Sequence, residues 1–314
     1  MLPKLRLLLI TALMIGATST AYAIPMTASS LAALPDDTTV TALILMNERP
    51  DVDELRYKVR MLKRDERSDV IWRELDDLAR RSQLRVRRIL DPELDSGRLQ
   101  RIKSLRIANG IVAHGSPRVF ERILDHQDVG QLIHVIPRKL QTDADESTFT
   151  AVQPGDVPWH IDHIQAPLCW TAGYSGEGVL VAIIDTGINY QHTDISDHLW
   201  VGGELYPNHG YDFADNDLNP IDESGHGAGV AGLVAGDGSS GTSTGVAPDA
   251  TIMGLRVRQD LNSGIVTDTW LAQDFALEHG VDVISMSLGW GHPGPEDRVM
   301  WRHQYEMLEA AGII

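Results

Sequence analysis

Two side chains in this sequence, a carboxylate and an imidazole, occur in settings suited to catalysis. The apolar, β-branched run at 179–184 ends in Asp185. Such a run predicts a strand buried on both faces, and open α/β sheets keep their sites at the carboxyl ends of strands. His226 follows 41 residues later, between two glycines and ahead of small residues that predict a helix. An imidazole placed there could serve as a general base.

The segments around these residues, VLVAIIDTG at 179–187 and SGHGAGVAG at 224–232, resemble motifs of the subtilisin-type serine protease family. The order Asp first and His second is also the family's order. The resemblance implies that Asp185 accepts a hydrogen bond from His226 and stabilises its charged ring. It also implies that His226 takes the proton of a nucleophilic serine and returns it to the leaving amine. Capping of the next segment is the alternative role for Asp185 alone.

The sequence departs from the family pattern directly after His226. The family usually has Thr and His where this chain has Ala228 and Gly229. The usual side chains pack and hydrogen-bond around the catalytic helix, and a glycine inside a helix costs up to ~1 kcal/mol. We therefore expect His226 to be held less firmly than the family pattern implies.

The family's other catalytic residues, the Asn of the oxyanion hole and the nucleophilic Ser, are expected later in the chain than Ile314. Residues 308–314 predict a helix end, a glycine cap and the start of a strand. We expect the N-terminal part of a secreted subtilisin-like serine endopeptidase, inactive as it stands because the nucleophile is missing. Ser243 imitates the nucleophile motif, but no helix follows it, which predicts a loop residue. A peptide-binding pseudoprotease and a secreted protease-inhibitor domain are the alternatives.

The segment SMSLG at 285–289 resembles the family's substrate-binding strand. The resemblance implies that Ser287, Leu288 and Gly289 bind polypeptide substrates by adding them as a further strand, with Trp290 as the wall of a pocket. A plain core strand that ends in a turn is the alternative.

The Gly- and Ser-rich loop at 236–245 resembles the family's calcium loop, and Asp194 matches a ligand position. Calcium takes about six to eight oxygen ligands, which Asp194, Asp237 and loop carbonyls could begin to supply. A second acidic group is formed by Asp212, Asp215, Asp217 and Asp222. A solvated acidic surface is an equal alternative for either group, and the chemistry itself requires no cofactor.

Strands and helices alternate around these motifs. Strands are predicted at 179–184, 250–256 and 281–285, and helices at 226–235, 268–279 and 296–311. This alternation predicts an α/β domain with a doubly wound parallel sheet over residues 151–314. Residues 159–179 resemble the mature N-terminus of the bacillopeptidase F-like group of the family, which implies a truncated subtilisin-like catalytic domain.

A small domain is predicted ahead of it, within residues 24–150. A strand at 40–46, a helix at 51–90, strands at 101–107 and 111–113, a helix at 118–126 and a strand at 130–136 give the order of a ferredoxin-like α+β sandwich. This domain resembles the propeptide of subtilisin-type proteases, which implies an intramolecular chaperone and inhibitor. An ordinary domain that stays attached is the alternative. The polar linker at 141–158 is the expected site of processing.

Charge separates the two halves. The chain carries a net charge of −17, with 21 Lys/Arg against 22 Asp/Glu in residues 24–156 and 4 against 22 in residues 157–314. This balance argues against nucleic acid or an anionic membrane as a partner and favours two domains.

The N-terminus predicts a secretory signal peptide over residues 1–23. Lys4 and Arg6 precede an apolar stretch at 7–17, and a small-x-small cleavage site follows at 21–23. The stretch is shorter than the ~20 residues that span a bilayer, so secretion without a membrane span is expected. Cys169 is the chain's one cysteine, which excludes an intrachain disulfide, and we predict that it is buried.

Overall fold

The computed structural model describes residues 23–137, 157–258, 266–289 and 295–314. We call residues 23–137 the first unit and the remainder the second unit. The first unit contains β1 (Ala23–Pro25), α1 (Ala28–Ala32), β2 (Val40–Met46), α2 (Val52–Val59), α3 (Arg64–Asp95), β3 (Leu99–Leu105), β4 (Gly110–Gly115), α4 (Pro117–Glu121) and β5 (Val129–Val135).

The strands of the first unit form one sheet in the order β1-β5-β2-β4-β3, with every neighbouring pair antiparallel. One face packs on α1, α4 and the second half of α3 in an apolar cluster that includes Leu31, Phe120, Val86 and Leu90. The predicted helix at 51–90 is two helices, each with its own N-terminal cap. Asp51 caps the first, and at the start of the second the Glu66 carboxylate accepts the backbone N–H of Lys63. The sequence pattern gave no sign of β1 or α1.

The second unit contains α5 (Trp159–His163), α6 (Ala166–Thr171), β6 (Leu180–Asp185), β7 (Gly210–Asp212), α7 (His226–Ala235), β8 (Thr251–Arg256), α8 (Val266–Glu278), β9 (Val283–Ser285) and α9 (Pro295–Ala310). Its strands form a sheet in the order β7-β8-β6-β9, parallel throughout. The predicted parallel sheet is therefore confirmed, with the three-residue strand β7 added at one edge.

Side chains alternate between the two faces of the strands in this parallel sheet. Val181 and Ile183 of β6 lie in an apolar cluster with α7, whereas Ala182 and Ile184 lie in a cluster with α8 and α9. The second cluster continues into the first unit, through Leu43 and its neighbours on β2. Both faces of β6 are thus buried, as its unbroken apolar sequence indicates.

Cys169 is exposed on the short helix α6, so the prediction of a buried cysteine is wrong.

Within the part of the chain that the structure describes, no helix is long and apolar enough to cross a membrane.

Candidate active site

Two glycines allow β6 and α7 to meet at the carboxyl edge of the sheet. Gly187 has φ +113°, and a Cβ there would lie 2.6 Å from the carbonyl oxygen of Pro220. A Cβ on Gly227 would lie 2.1 Å from the carbonyl oxygen of Gly187. Only glycine permits such close approach. The glycines of the two motifs therefore bring the end of β6 against the start of α7.

This approach pairs Asp185 with His226. Nδ1 of His226 lies 2.7 Å from Oδ1 of Asp185, and the backbone N–H of Thr186 donates to the same oxygen at 2.7 Å. Asp185 is fully buried, whereas the His226 side chain is 28% exposed. Burial raises the pKa of Asp185, against hydrogen bonds from His226 and Thr186 that lower it. With Nδ1 bound to the carboxylate, Nε2 of His226 is the ring nitrogen that remains to exchange a proton.

A second carboxylate, Asp222, fixes the start of α7. Its Oδ2 accepts the backbone N–H of Ala228 at 2.7 Å, and its Oδ1 accepts the Thr186 hydroxyl at 2.9 Å. The same hydroxyl accepts the backbone N–H of Gly227 at 2.9 Å. A negative charge at a helix N-terminus is favourable. The sequence analysis grouped Asp222 with other acidic residues, as calcium ligands or as a solvated surface, although an Asp shortly before a helix is also the signal of a cap.

The departure from the family pattern at Ala228 and Gly229 has a local consequence. A Cβ on Gly229 would meet nothing within 4 Å, so no close contact requires glycine there. The position borders a cavity of about 680 Å³, whose wall includes His160, Asn189, His192 and Leu233. The backbone of α7 is held by Asp222 and Thr186 instead of by side chains at 228 and 229.

The predicted substrate-binding residues come directly after β9. Ser287 and Gly289 are exposed, and Leu288 packs partly against the apolar core. The regular strand ends at Ser285, and among the described residues 286–289 form no strand ladder. Peptide binding by Ser287, Leu288 and Gly289 therefore stays a prediction, and Trp290 lies outside the described residues.

The predicted calcium ligand Asp194 is engaged by protein donors. Its Oδ1 accepts both the backbone N–H and the hydroxyl of Ser240, at 2.6 and 2.5 Å. In the same loop, the backbone carbonyl of Asp237 accepts a hydrogen bond from the Ser243 hydroxyl at 3.2 Å. Ser243 is thus a loop residue whose hydroxyl bonds within its own loop. One oxygen of Asp194 and one loop carbonyl are therefore engaged by protein donors, whereas calcium takes about six to eight oxygen ligands.

The carboxylate of Asp237 belongs to a different group of donor atoms. It lies within 4.8 Å of ligand atoms of Asp197 and His198, and Asp194 is not part of that group. A calcium ion shared by Asp194 and Asp237 stays a prediction.

The second acidic group surrounds an arginine. The buried guanidinium of Arg256 donates to Asp212, to Asp215 at 2.8 Å and to Glu223 at 3.1 Å. Burial raises the pKa of Asp212, against the bond from Arg256. Asp217 accepts the backbone N–H of Asn219 instead. A fixed arginine therefore balances the charge of this group.

Comparison with known proteins agrees with the geometry. The profile described as Subtilase family matches residues 176–313. Bacillopeptidase F of Bacillus subtilis is 29% identical over 68% of this chain and 15% of its own length. Minor extracellular protease Vpr of Bacillus subtilis is 39% identical over 40% of this chain and 16% of its own length. Thermitase of Thermoactinomyces vulgaris is 36% identical over 48% of this chain and 52% of its own length.

The chain therefore spans 15% to 52% of the length of these relatives. The matched segment contains both members of the buried carboxylate–imidazole pair. The resemblance in the sequence motifs is confirmed: residues 176–313 match the subtilase family.

Proposed function

We propose that this chain belongs to a secreted subtilisin-like serine endopeptidase that hydrolyses peptide bonds in polypeptides. The 2.7 Å contact between His226 and Asp185 carries the proposal. The predicted signal peptide at 1–23 supports export, as does the similarity to the minor extracellular protease Vpr.

The chemistry follows from the two nitrogens of His226. Asp185 accepts Nδ1–H, which fixes the tautomer and leaves Nε2 as the proton acceptor. Nε2 would take the proton of a serine hydroxyl as the oxygen attacks the peptide carbonyl, and the imidazolium that forms would be stabilised by the buried carboxylate. Among the described residues no serine hydroxyl bonds to His226, so we expect residues 24–314 alone not to hydrolyse peptides.

The test measures hydrolysis of a chromogenic peptide by the gene product that contains these residues, and by residues 24–314 alone. In the former, His226→Ala should lower kcat by about 10⁶, the size of the loss for the corresponding change in subtilisin. An unchanged kcat would refute the role of His226. Turnover by residues 24–314 that His226→Ala abolishes would show that another nucleophile exists, and Ser243 would be examined first.

We also propose that residues 24–150 are an inhibitory propeptide. The order β5-β2-β4-β3, with antiparallel neighbours, is the order of a ferredoxin-like sandwich, and β1 extends it. The proposed processing segment at 141–158 falls mostly outside the described residues.

The docking of the first unit on α8 and α9 supports this proposal. Asp274 of α8 accepts the backbone N–H groups of Arg106 and Ile107 at 2.6 and 2.9 Å. His303 of α9 lies 3.1 Å from the carbonyl oxygen of Ile107 and donates to it through Nε2. Burial raises the pKa of Asp274 to about 6 and lowers the pKa of His303. Asp274 of α8 and His303 of α9 thus both hydrogen-bond to the backbone of the turn after β3.

A buried ion pair lies beside this turn. Arg101 of β3 approaches Asp268 of α8 at 3.0 Å, and both side chains are largely buried. Burial raises the pKa of Asp268 to about 7, against the nearby Arg101. Opposite charges therefore meet across the two units, as their different charge balance indicates.

A further inference from the structure

The first unit touches the second unit in a second place as well, which adjoins the turn after β3 through one shared apolar cluster. There α2 packs on α9, and α3 packs on α8. The contact involves Asp282, which precedes β9 and so lies at the amino end of the parallel strands. Asp185 closes β6 at the carboxyl end. The second contact is therefore at the opposite end of the sheet from the catalytic pair.

Arg64, the first residue of α3, makes the central polar contact. Its Nε donates to the carbonyl of Gly312 at 2.6 Å, and its Nη2 donates to the carbonyl of Asp282. Nη2 also lies 3.6 Å from the Asp282 carboxylate. Gly312 follows the end of α9, where the unpaired carbonyls of a helix favour a cation. A Cβ on Gly312 would lie 2.9 Å from Cγ of Arg64, so only glycine leaves room for this side chain.

Neighbouring residues extend the contact in both directions. Arg56 of α2 pairs with Glu309 of α9 at 2.8 Å. Ser68, one turn after Arg64, is buried, and its hydroxyl would lie 3.9 Å from a Cβ on Gly280, which follows α8. Apolar side chains complete the contact, and one cluster contains Leu55, Val59, Ile71, Leu75, Met307, Leu308 and Ile313.

We propose that residues 52–75, here named the α2–α3 anchor, are a second docking element whose partner is the pair of helix ends at 278–282 and 307–314. The anchor slows the release of the first unit after the segment between the units has been cut. This deepens the proposed role of residues 24–150 as a propeptide and rests on that role for the cut. An inhibitor held by the turn after β3 alone would leave as soon as that turn detached.

The test uses residues 24–314 with a recognition sequence for a site-specific protease inserted between residues 145 and 150. After cleavage, size-exclusion chromatography over time gives the rate at which the two pieces separate. Arg64→Ala should raise this rate about tenfold, because charge-assisted hydrogen bonds to two carbonyls are lost. Arg88→Ala is the matched control, since Arg88 is exposed on the same helix but lies outside residues 52–75; its rate should match the parent.

Hydrogen exchange on the uncut chain gives a second readout that does not need the pieces to fold alone. Arg64→Ala should speed exchange at 278–282 and 307–314 and leave exchange at 106–109 unchanged. Arg64→Lys should give a smaller effect, because lysine keeps the positive charge but lacks the planar guanidinium that bonds two carbonyls at once. Equal separation rates and equal exchange in Arg64→Ala and Arg88→Ala would overturn the proposal. Neither measurement uses catalysis, so a first unit that fails to inhibit a protease would leave this result unaffected.

Discussion

His226 is oriented through both its ring and its backbone. Asp185 bonds the ring, while Asp222 and Thr186 bond the first amides of α7. Ala228 carries no polar side chain, so the orientation of the helix start depends on these bonds. At the scale of single residues, Asp222 is thus a positioning residue for the start of α7, and through that helix start for His226.

Replacing Asp222 by Ala should lower the free energy of unfolding by about 1 to 2 kcal/mol, the usual cost of removing a helix-capping side chain. Urea unfolding of residues 24–314 measures it, and hydrogen exchange at 226–229 should increase. Asp217→Ala is the control, because Asp217 accepts one amide in a nearby loop and does not touch α7. Equal losses in the two variants would contradict the capping role.

At the scale of elements, α8 is covered on all sides. Every residue from Val266 to Leu277 is buried, including Asp268, Gln273 and Asp274. A helix in a single-layer contact exposes its polar face. The polar face of α8 is buried because the first unit lies on it, so its carboxylates have the first unit's backbone and arginines as partners.

The turn that reaches Asp274 depends on Asn109, which is fully buried and has φ +45°. Its side chain donates to the Glu48 carbonyl and accepts from Gln83. Asn109→Ala should lower the free energy of unfolding by about 2 to 4 kcal/mol. The change leaves the Glu48 carbonyl and the Gln83 amide without this hydrogen-bond partner, and it places an alanine at a positive φ, which strains the backbone. Asn109→Gly removes the side chain without the strain and should cost about 1 kcal/mol less. Equal losses in denaturant titrations would exclude a backbone contribution.

Local patterns in the sequence were sufficient for most of the sheet strands, though not for β1 and β7, and for the pairing of Asp185 with His226. Asp185 and His226 lie in short motifs whose glycines allow close approach, and β2 has the predicted bounds. The break between α2 and α3 was missed because the apolar periodicity continues across it. The partners of Arg256 and Asp222 were missed because they depend on contacts between distant segments. Cys169 was misplaced because its apolar neighbours lie on a surface helix.

At the scale of the whole molecule, two carboxylates buried between the units make stability depend on pH. Asp274 and Asp268 have pKa values raised by burial from 3.8 to about 6 and about 7. At these two carboxylates the folded chain therefore binds more protons than the unfolded chain between pH 4 and 7, and their contribution to the free energy of unfolding falls as pH rises.

Comparing urea unfolding at pH 5 and pH 8 measures this dependence. Asp274→Asn should reduce the difference between the two pH values by about 1 to 3 kcal/mol, at about 1.4 kcal/mol per pKa unit. Asp69→Asn, on the exposed side of α3, should leave the difference unchanged. A pH dependence that Asp274→Asn does not alter would contradict the assignment to the interface.

Helix α3 takes part in two apolar clusters, with Val86 and Leu90 in the cluster within the first unit and Ile71 and Leu75 in the cluster shared with α8 and α9. During synthesis the first cluster can close once β5 has emerged, whereas α8 and α9 leave the ribosome later. We therefore expect the C-terminal half of α3 to reach its native surroundings first, while the N-terminal half lacks its contacts with α8 and α9 until those helices have emerged.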